Sequence, residues 1–286
     1  MRKFGVVAAT AASALAVALV ASAYTAGPAA SAAPVAARAG GLARIRPGGP
    51  AVVAGTWPSV PTAFSAATIN VVSSNWAGYV AERHRVRFRY VRAAFFVPYL
   101  DCASTPSSYS GHWIGLDGAG NATVEQDGIL ASCQGSTPQY SAWYEMFPLP
   151  PVYSRITVRP GNSIVASVYY NSGTGMFTTS LTDTTNGQNF SHSQACPAGS
   201  VCQRMSAEVI SEAPSNGVSV LPLSNFRAES FTDVTVTNAQ GRRGGIRGPG
   251  WGTLSMTTEN SRATVLDQPT EVYRGQAFDC YWMAEV

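Results

Sequence analysis

The sequence predicts an all-β protein, built as a sandwich or a barrel. Charged residues make up only 12% of the 286 positions, and apolar and aromatic residues are plentiful. Short runs of β-branched and aromatic residues alternate with Gly, Pro and Asn punctuation, which is typical of strands joined by tight turns. No helical pattern is interleaved with these runs, which argues against a parallel α/β arrangement.

The first 32 residues predict a signal peptide. Arg2 and Lys3 precede an apolar run of about 16 residues, and Ala-Ser-Ala at 21–23 or 30–32 offers a small-residue cleavage site. The alternative is an uncleaved membrane anchor, but the run is short of the ~20 residues that a spanning helix needs. We therefore expect a secreted protein with no membrane association after signal cleavage.

Residues 33–72 predict a propeptide or a flexible linker. They are rich in Ala, Pro, Gly and Val, with three arginines and no acid. A basic segment ahead of an acidic domain suggests a zymogen, and a passive linker is the alternative. The remaining residues, 73–286, predict one β-sandwich domain. They include 14 arginines, 16 acidic residues and no lysine.

Nine segments of this domain predict strands. Asn186-Gly187 is a hairpin dipeptide, and Pro160-Gly161-Asn162 marks another turn. The segments are NWAGYVAE, VRFRYVRAAFFVPYL, HWIGLDG, YSAWYEMF, RITVRPGNSIVASVYY, MFTTSLTDTTNGQNF, AEVISE, FTDVTVTN and AFDCYWM.

The arginine-rich stretch RHRVRFRY, at 83–90, is the only candidate for a nucleic-acid site. Its arginines alternate, which predicts the solvent-exposed face of one strand. A polyanion site is the less favoured interpretation, and we expect no nucleic-acid partner.

Five cysteines in an exported protein predict disulfides and one remaining thiol. Cys196 and Cys202 flank a Pro-Ala-Gly turn and are the first predicted pair. Cys102 with Cys133 is the second, which leaves Cys280 over. No CxxC or HExxH spacing occurs, so the sequence predicts neither a metal site nor a cofactor.

Carboxylates are the best candidates for catalysis. Only three histidines exist, in settings that do not favour a Ser-His-Asp triad, and neither a D-T-G nor a D-S-G pair is present. In AEVISE, Glu208 and Glu212 share one face of the predicted strand with Ile210. Such a pair either faces solvent or lines a groove, and nearby Trp113 and Trp143 favour a groove for an extended polymer.

The ordered motifs resemble the glutamic peptidases, or eqolisins, peptidase family G1. The resemblance rests on SSNWAGYV (73–80), HWIGLDG (112–118), TVEQDG (123–128), YSAWYEMFP (140–148), SAEVISEAP (206–214) and FTDVTVTNA (231–239), and it covers residues 73–286. It implies two bent antiparallel sheets packed as a concanavalin-like or lectin-like sandwich, with the site in a concave face.

The resemblance also implies the functional residues. Gln126 matches the catalytic glutamine and Glu212 the catalytic glutamate, which would activate a water that attacks a peptide bond. We expect an acid endopeptidase that binds a polypeptide substrate and acts as a monomer. The substrate-binding or supporting residues would be Trp113, Asp117, Glu145, Trp76 and Glu208.

Two departures from the family pattern are notable. Glu125 and Asp127 flank the glutamine and could alter the local field, and Val209 replaces a tryptophan. Two alternatives stay open: a glycoside hydrolase on the same sandwich using Glu145 and Glu212, and a binding module without catalysis.

Overall fold

The computed structural model describes residues 45–58 and 68–284, which form strands and loops with no helix. The signal peptide predicted over 1–32 and parts of the predicted linker, 33–44 and 59–67, lie outside the described residues. The strands are β1 Thr68–Ser73, β2 Trp76–Glu82, β3 Phe88–Phe96, β4 Tyr109–Leu116, β5 Val124–Gln134, β6 Thr137–Phe147, β7 Val152–Tyr153, β8 Ser163–Asn171, β9 Met176–Asp183, β10 Asn189–Ala195, β11 Ser206–Glu212, β12 Ala228–Asn238, β13 Arg243–Gly244, β14 Gly252–Glu259, β15 Val265–Pro269 and β16 Phe278–Trp282.

The strands follow one hydrogen-bonded path that folds back on itself as a sandwich. Its order is β10-β9-β8-β3-β12-β16-β15-β14-β2-β11-β4-β5-β6-β7. The half from β10 to β12 packs face to face on the half from β2 to β6, and β15 and β16 join the two along one edge. The predicted all-β sandwich is confirmed, although its two layers are joined into one sheet. Neighbours along the path are antiparallel, whereas β1 runs parallel to β14.

The main core lies between the two layers. Val209 and Ile114 from one layer meet Phe95, Phe177 and Phe231 from the other. A second apolar cluster covers the opposite face of the β2 to β6 layer. Trp76, Trp113, Trp143 and Ile210 belong to it, and Ile45 of the N-terminal segment packs on it. Both faces of this layer are therefore buried, and we call the face that carries the second cluster the site face.

Two features differ from the sequence expectations. Residues 83–87 form the turn between β2 and β3, and the strand predicted over RHRVRFRY begins only at Phe88. Arg85 has a φ of 62°, a left-handed conformation that ends an extended run. Arg83, Arg85 and Arg87 therefore do not line a strand face. Separately, β1 begins at Thr68, within the segment predicted as linker, and pairs with β14 along its whole length.

The predicted cysteine pairs are confirmed. One disulfide joins Cys102 to Cys133 and the other joins Cys196 to Cys202, while Cys280 is a buried free thiol. The first bridge ties the segment before β4 to the end of β5. That strand also carries Gln126, near its other end.

In the part of the chain that the structure describes, no helix has the length and apolarity to cross a membrane. Within the same residues, no group of three or more His, Cys, Asp or Glu side chains is arranged to hold a metal ion.

Candidate active site

The strand order places the residues predicted as catalytic in one layer. β2, β11, β4, β5 and β6 lie side by side. Glu212 on β11 is opposite Trp76 on β2, and Gln126 on β5 is opposite Glu145 on β6. Because side chains alternate along a strand, these residues project from the site face together with Trp113 and Ile210.

Glu212 is held by two hydrogen bonds to its two carboxyl oxygens. Trp113 Nε1 donates to Oε2 at 2.7 Å, and Asn75 Nδ2 donates to Oε1 at 3.1 Å. The carboxyl is fully buried, and this burial raises its pKa well above the usual range. The hydrogen bonds from Trp113 and Asn75 act in the opposite direction, because donors favour the carboxylate. Repulsion from Glu145 is a smaller cause that also raises this pKa, so burial dominates.

Gln126 is oriented by its cross-strand neighbour. Its Nε2 donates to Glu145 Oε2 at 2.9 Å, and both side chains are fully buried. Gln126 Oε1 has no hydrogen-bond partner among the described residues, so one acceptor and one N–H remain for another group. Burial raises the pKa of Glu145, while nearby Arg46 and the Gln126 hydrogen bond lower it.

Tryptophans form the floor of the site face. Trp76 and Trp113 meet edge to face, with ring centroids 5.0 Å apart. A Cβ on Gly115 would come 3.0 Å from the Trp113 ring and 3.2 Å from Gln126 Cβ. The packing beside the glutamine therefore depends on a residue without a side chain at position 115.

A piece of the N-terminal segment lies on these groups. A Cβ on Gly48 would overlap the side-chain amide of Gln126, so this glycine sits directly against it. Trp76 Nε1 donates to the carbonyl oxygen of Gly49 at 2.9 Å, and the Gly49 N–H faces the Glu212 carboxyl and helps to lower its pKa. Two consecutive residues thus touch both members of the predicted dyad.

A cavity of about 510 Å³ remains open beside this segment. The sandwich contributes Asn75, Phe147, Glu212 and the loop 215–220, and the N-terminal segment forms the rest of the wall. Glu212 is therefore part of the cavity wall with the segment in place, although its carboxyl is buried.

Two of the predicted residues, Asp117 and Glu208, make no hydrogen bond to Gln126 or Glu212 among the described residues. Asp117 Oδ1 and Oδ2 accept from the backbone N–H groups of Met205 and Arg204 at 2.8 and 2.6 Å, and Oδ1 also accepts from Asn121 at 2.7 Å. These hydrogen bonds fix the entry into β11, and among the described residues Asp117 makes no hydrogen bond to Gln126. Glu208 faces Gly115 and Val80 in the register, two positions before Ile210 on the same strand face as Glu212.

Glu125 and Asp127 point away from the site face. They alternate with Gln126 on β5, so they project between the two layers, where both are fully buried. Burial raises the pKa of both carboxyls well above the usual range, and Asp117 adds to the effect on Glu125.

Sequence reasoning missed Asn75. Its Nδ2 donates to Glu212 and also to the Pro50 carbonyl at 3.2 Å, and its Oδ1 accepts from the Val52 N–H at 2.8 Å. The signal was present, because Asn75 directly precedes Trp76 in the SSNWAGYV motif. Its polar side chain contacts both the carboxyl predicted as catalytic and a polypeptide backbone.

Comparison with known proteins decides the family. Residues 74–279 match the model of the Peptidase A4 family. The chain belongs to the Peptidase A4 family. Over 216 residues it is 30% identical to Aspergillopepsin-2 of Aspergillus niger. This match covers 68% of this chain and 70% of that protein. Family membership makes the chain a glutamic peptidase, a hydrolase of peptide bonds.

Solved structures support the same assignment for this Peptidase A4 member. Scytalido-glutamic peptidase with a transition state analog inhibitor is similar at a TM-score of 0.63 and 26% identity, covering 73% of this chain and 98% of that one. SCP-B, an Eqolisin family peptidase in complex with the tripeptide Ala-Ile-His, gives a TM-score of 0.58 at 25% identity with the same coverage.

Proposed function

We propose that this glutamic peptidase is a secreted acid endopeptidase whose catalytic pair is Gln126 and Glu212. One observation carries the proposal: a single dipeptide, Gly48-Gly49, contacts the Gln126 amide and the Glu212 carboxyl at once. A polypeptide substrate in that position would bring one peptide bond to both groups.

Glu212 acts as the base and then as the acid. Its carboxylate takes a proton from a water while the water oxygen attacks the scissile carbonyl carbon. When the C–N bond breaks, Glu212 gives this proton to the leaving nitrogen. The donors Trp113 and Asn75 favour the carboxylate that the first step needs. Once solvent reaches the site, less burial brings the pKa of Glu212 towards its ordinary acidic range.

Gln126 stabilises the charge that develops on the substrate oxygen. Glu145 engages one N–H of the amide, and the second N–H is available for the oxyanion while Oε1 accepts from the attacking water. A neutral amide supplies both a donor and an acceptor. A preorganised donor of this kind contributes about 3–4 kcal/mol in other hydrolases.

The surrounding residues fit a polypeptide. Trp76 and Asn75 already bond main-chain carbonyl oxygens, at Gly49 and Pro50, and these bonds are independent of side-chain identity. Scytalido-glutamic peptidase binds a transition state analog and SCP-B a tripeptide, which supports the same use here. Two disulfides are consistent with an extracellular location.

Matched substitutions test the assignment on the secreted protein with casein at pH 4. Glu212→Gln should lower kcat by about 100-fold or more, and Gln126→Ala by about 100- to 1,000-fold. Glu125→Gln, on the opposite face of the same strand, is the control and should keep its activity. Retained hydrolysis in either dyad variant would refute the mechanism, and cleavage of polysaccharide instead of casein would support the glycosidase alternative.

A further inference from the structure

Two arginine-rich turns meet at the end of the sandwich where β2 stops and β3 begins. One is the turn 83–87 between these strands, and the other follows β12 and leads into β13. The turns are far apart in the sequence, but the Ala239 N–H donates to the Arg87 carbonyl oxygen at 2.7 Å. We call the five arginines of these turns the arginine patch: Arg83, Arg85, Arg87, Arg242 and Arg243.

Contacts with one loop hold the two turns against each other. Arg83 Nη1 donates to the Gly250 carbonyl oxygen at 3.1 Å, and Arg242 Nη1 donates to the Pro249 carbonyl oxygen at 3.3 Å. A Cβ on Gly250 would come 2.5 Å from Arg242 Cδ, so the arginine side chain lies directly on this glycine. Guanidinium groups from different turns thus bond consecutive carbonyl groups, which brings their positive charges side by side.

No acid in either segment offsets the charge of the patch. Residues 83–92 and 239–258 contain neither Asp nor Glu. The four exposed members, all except Arg83, form no ion pair within the part of the chain that the structure describes. Glu82 precedes the patch, but it is buried and accepts from Trp57 Nε1, and burial raises its pKa to about 7. Because like charges repel, bringing these arginines together has a free-energy cost that a bound anion would remove.

The residue type indicates phosphate groups as the ligand. A guanidinium presents its N–H donors in a planar fork, which fits a phosphate or a carboxylate with two parallel hydrogen bonds. At the acid pH of the proposed function, a carboxylate polymer with a pKa of ~4 loses much of its charge, whereas a phosphate diester keeps its charge. The choice of phosphate over carboxylate therefore rests on the proposed function, and the existence of the patch does not.

The surroundings of the patch favour a phosphate chain over a nucleic acid or a membrane. Stacking of bases uses exposed aromatic side chains, and binding in a lipid interface uses exposed apolar ones. Among the described residues, segments 83–92 and 239–258 expose no large apolar or aromatic side chain. Recognition at the patch is therefore confined to the charged groups of the ligand.

We propose that the arginine patch binds a linear phosphate polymer through its ionised phosphate groups and so holds the protein on that polymer. This binding is separate from peptide hydrolysis and uses no catalytic residue. Arg83 follows Trp76 by seven positions along β2 and the start of the turn. At about 3.3 Å per residue, the patch lies roughly 20 Å from Trp76 and from Glu212 opposite it.

The test measures the binding of dye-labelled, long-chain polyphosphate to the full chain by fluorescence anisotropy. Two double variants each remove two patch charges, and a third removes two exposed arginines elsewhere as the charge-matched control. Thermal unfolding followed by circular dichroism shows that each variant is folded. The patch variants are Arg85→Gln with Arg87→Gln and Arg242→Gln with Arg243→Gln, and the control is Arg155→Gln with Arg159→Gln.

The unsubstituted chain should bind polyphosphate in a salt-dependent manner. For four neutralised phosphates, the association constant should fall by about 50- to 150-fold between 50 and 200 mM salt. Each patch variant should bind about 25-fold more weakly, or about 5-fold for each arginine, and the control should bind like the unsubstituted chain. Absence of binding at 50 mM salt would overturn the proposal, and equal weakening in the control would overturn its location.

Competing polymers test the chemistry of the ligand. Polygalacturonate should bind more weakly than polyphosphate at pH 4, and equal binding would overturn the choice of phosphate. Tighter binding of single-stranded DNA of equal charge, or of phosphatidylglycerol vesicles at equal phosphate concentration, would overturn the choice of a simple phosphate chain. None of these measurements uses peptide hydrolysis, so their failure and the failure of the proposed function are distinguishable.

Discussion

Replacement of Asp267 by Asn should make the protein markedly less sensitive to rising pH. Asp267 lies on β15 and is 1% exposed. Burial raises the pKa of its carboxyl to about 8, and the nearby Ser211 hydroxyl counteracts only part of this effect. The side chain is therefore protonated in the folded protein at neutral pH but ionised in the unfolded chain.

The sign of the effect follows from this difference. Below about pH 4 both states hold the proton, and the carboxyl imposes no pH-dependent cost. As pH rises above that value the unfolded chain releases the proton first, so the free energy of unfolding falls by about 1.4 kcal/mol per pH unit. From the ordinary pKa of 3.8 to pH 7, the loss amounts to roughly 4 kcal/mol for this one group.

Urea unfolding at pH 3.5, 5 and 7 measures the effect. The Asp267→Asn variant should lose the contribution of one proton, so its stability should fall less steeply with pH than that of the unsubstituted protein. Glu271→Gln changes an exposed carboxyl and is the matched control. The slope of the unfolding free energy against pH is the decisive quantity, because the amide of the Asp267→Asn variant also alters local hydrogen bonding, and hence stability, at every pH. An unchanged slope in Asp267→Asn would refute the reasoning.

Three further outcomes concern the candidate active site. Asn75→Ala removes a donor to the Glu212 carboxylate and should lower kcat by roughly 10- to 100-fold in peptide hydrolysis; an unaltered kcat would exclude this role. Gly115→Ala pushes a methyl group against Gln126 Cβ at 3.2 Å and should lower kcat by about 10-fold with a small change in KM. Asp127→Asn acts on the opposite face of β5, so the pH–rate profile should keep its shape; a displaced acidic limb would show that this carboxyl reaches the site.

The parts of the site that were predictable from sequence come from local rules. Alternation along AEVISE placed Glu208, Ile210 and Glu212 on one strand face, and the structure has this arrangement. Cysteine spacing gave the Cys196–Cys202 disulfide, because a bridge across a short turn has few competitors. These features depend on near neighbours or on a fixed periodicity, which a sequence displays directly.

The strand that carries Gln126 could not be recognised in the same way. β5 reads VEQDGILASCQ, and its first half has neither the β-branched content nor the apolar alternation of a typical strand. Both of its faces are buried, and Glu125 and Asp127 lie between the layers as carboxyls of raised pKa. Tertiary burial thus overrode local propensity. The opposite error occurred at Arg83–Arg87, where alternation suggested a strand but the chain turns.

Burial of carboxyls connects the stability of the protein with the state of its site. Desolvation raises the pKa of Asp267 in the core and of Glu212 beneath residues 48–50, and the cause is the same exclusion of water. In the core it cannot be relieved without unfolding. At Glu212, access of solvent would relieve it, because the other neighbours of the carboxyl, Trp113 and Asn75, donate hydrogen bonds that favour the carboxylate. Under the proposed function, we therefore expect the base to ionise more easily when solvent reaches it than when residues 48–50 cover it.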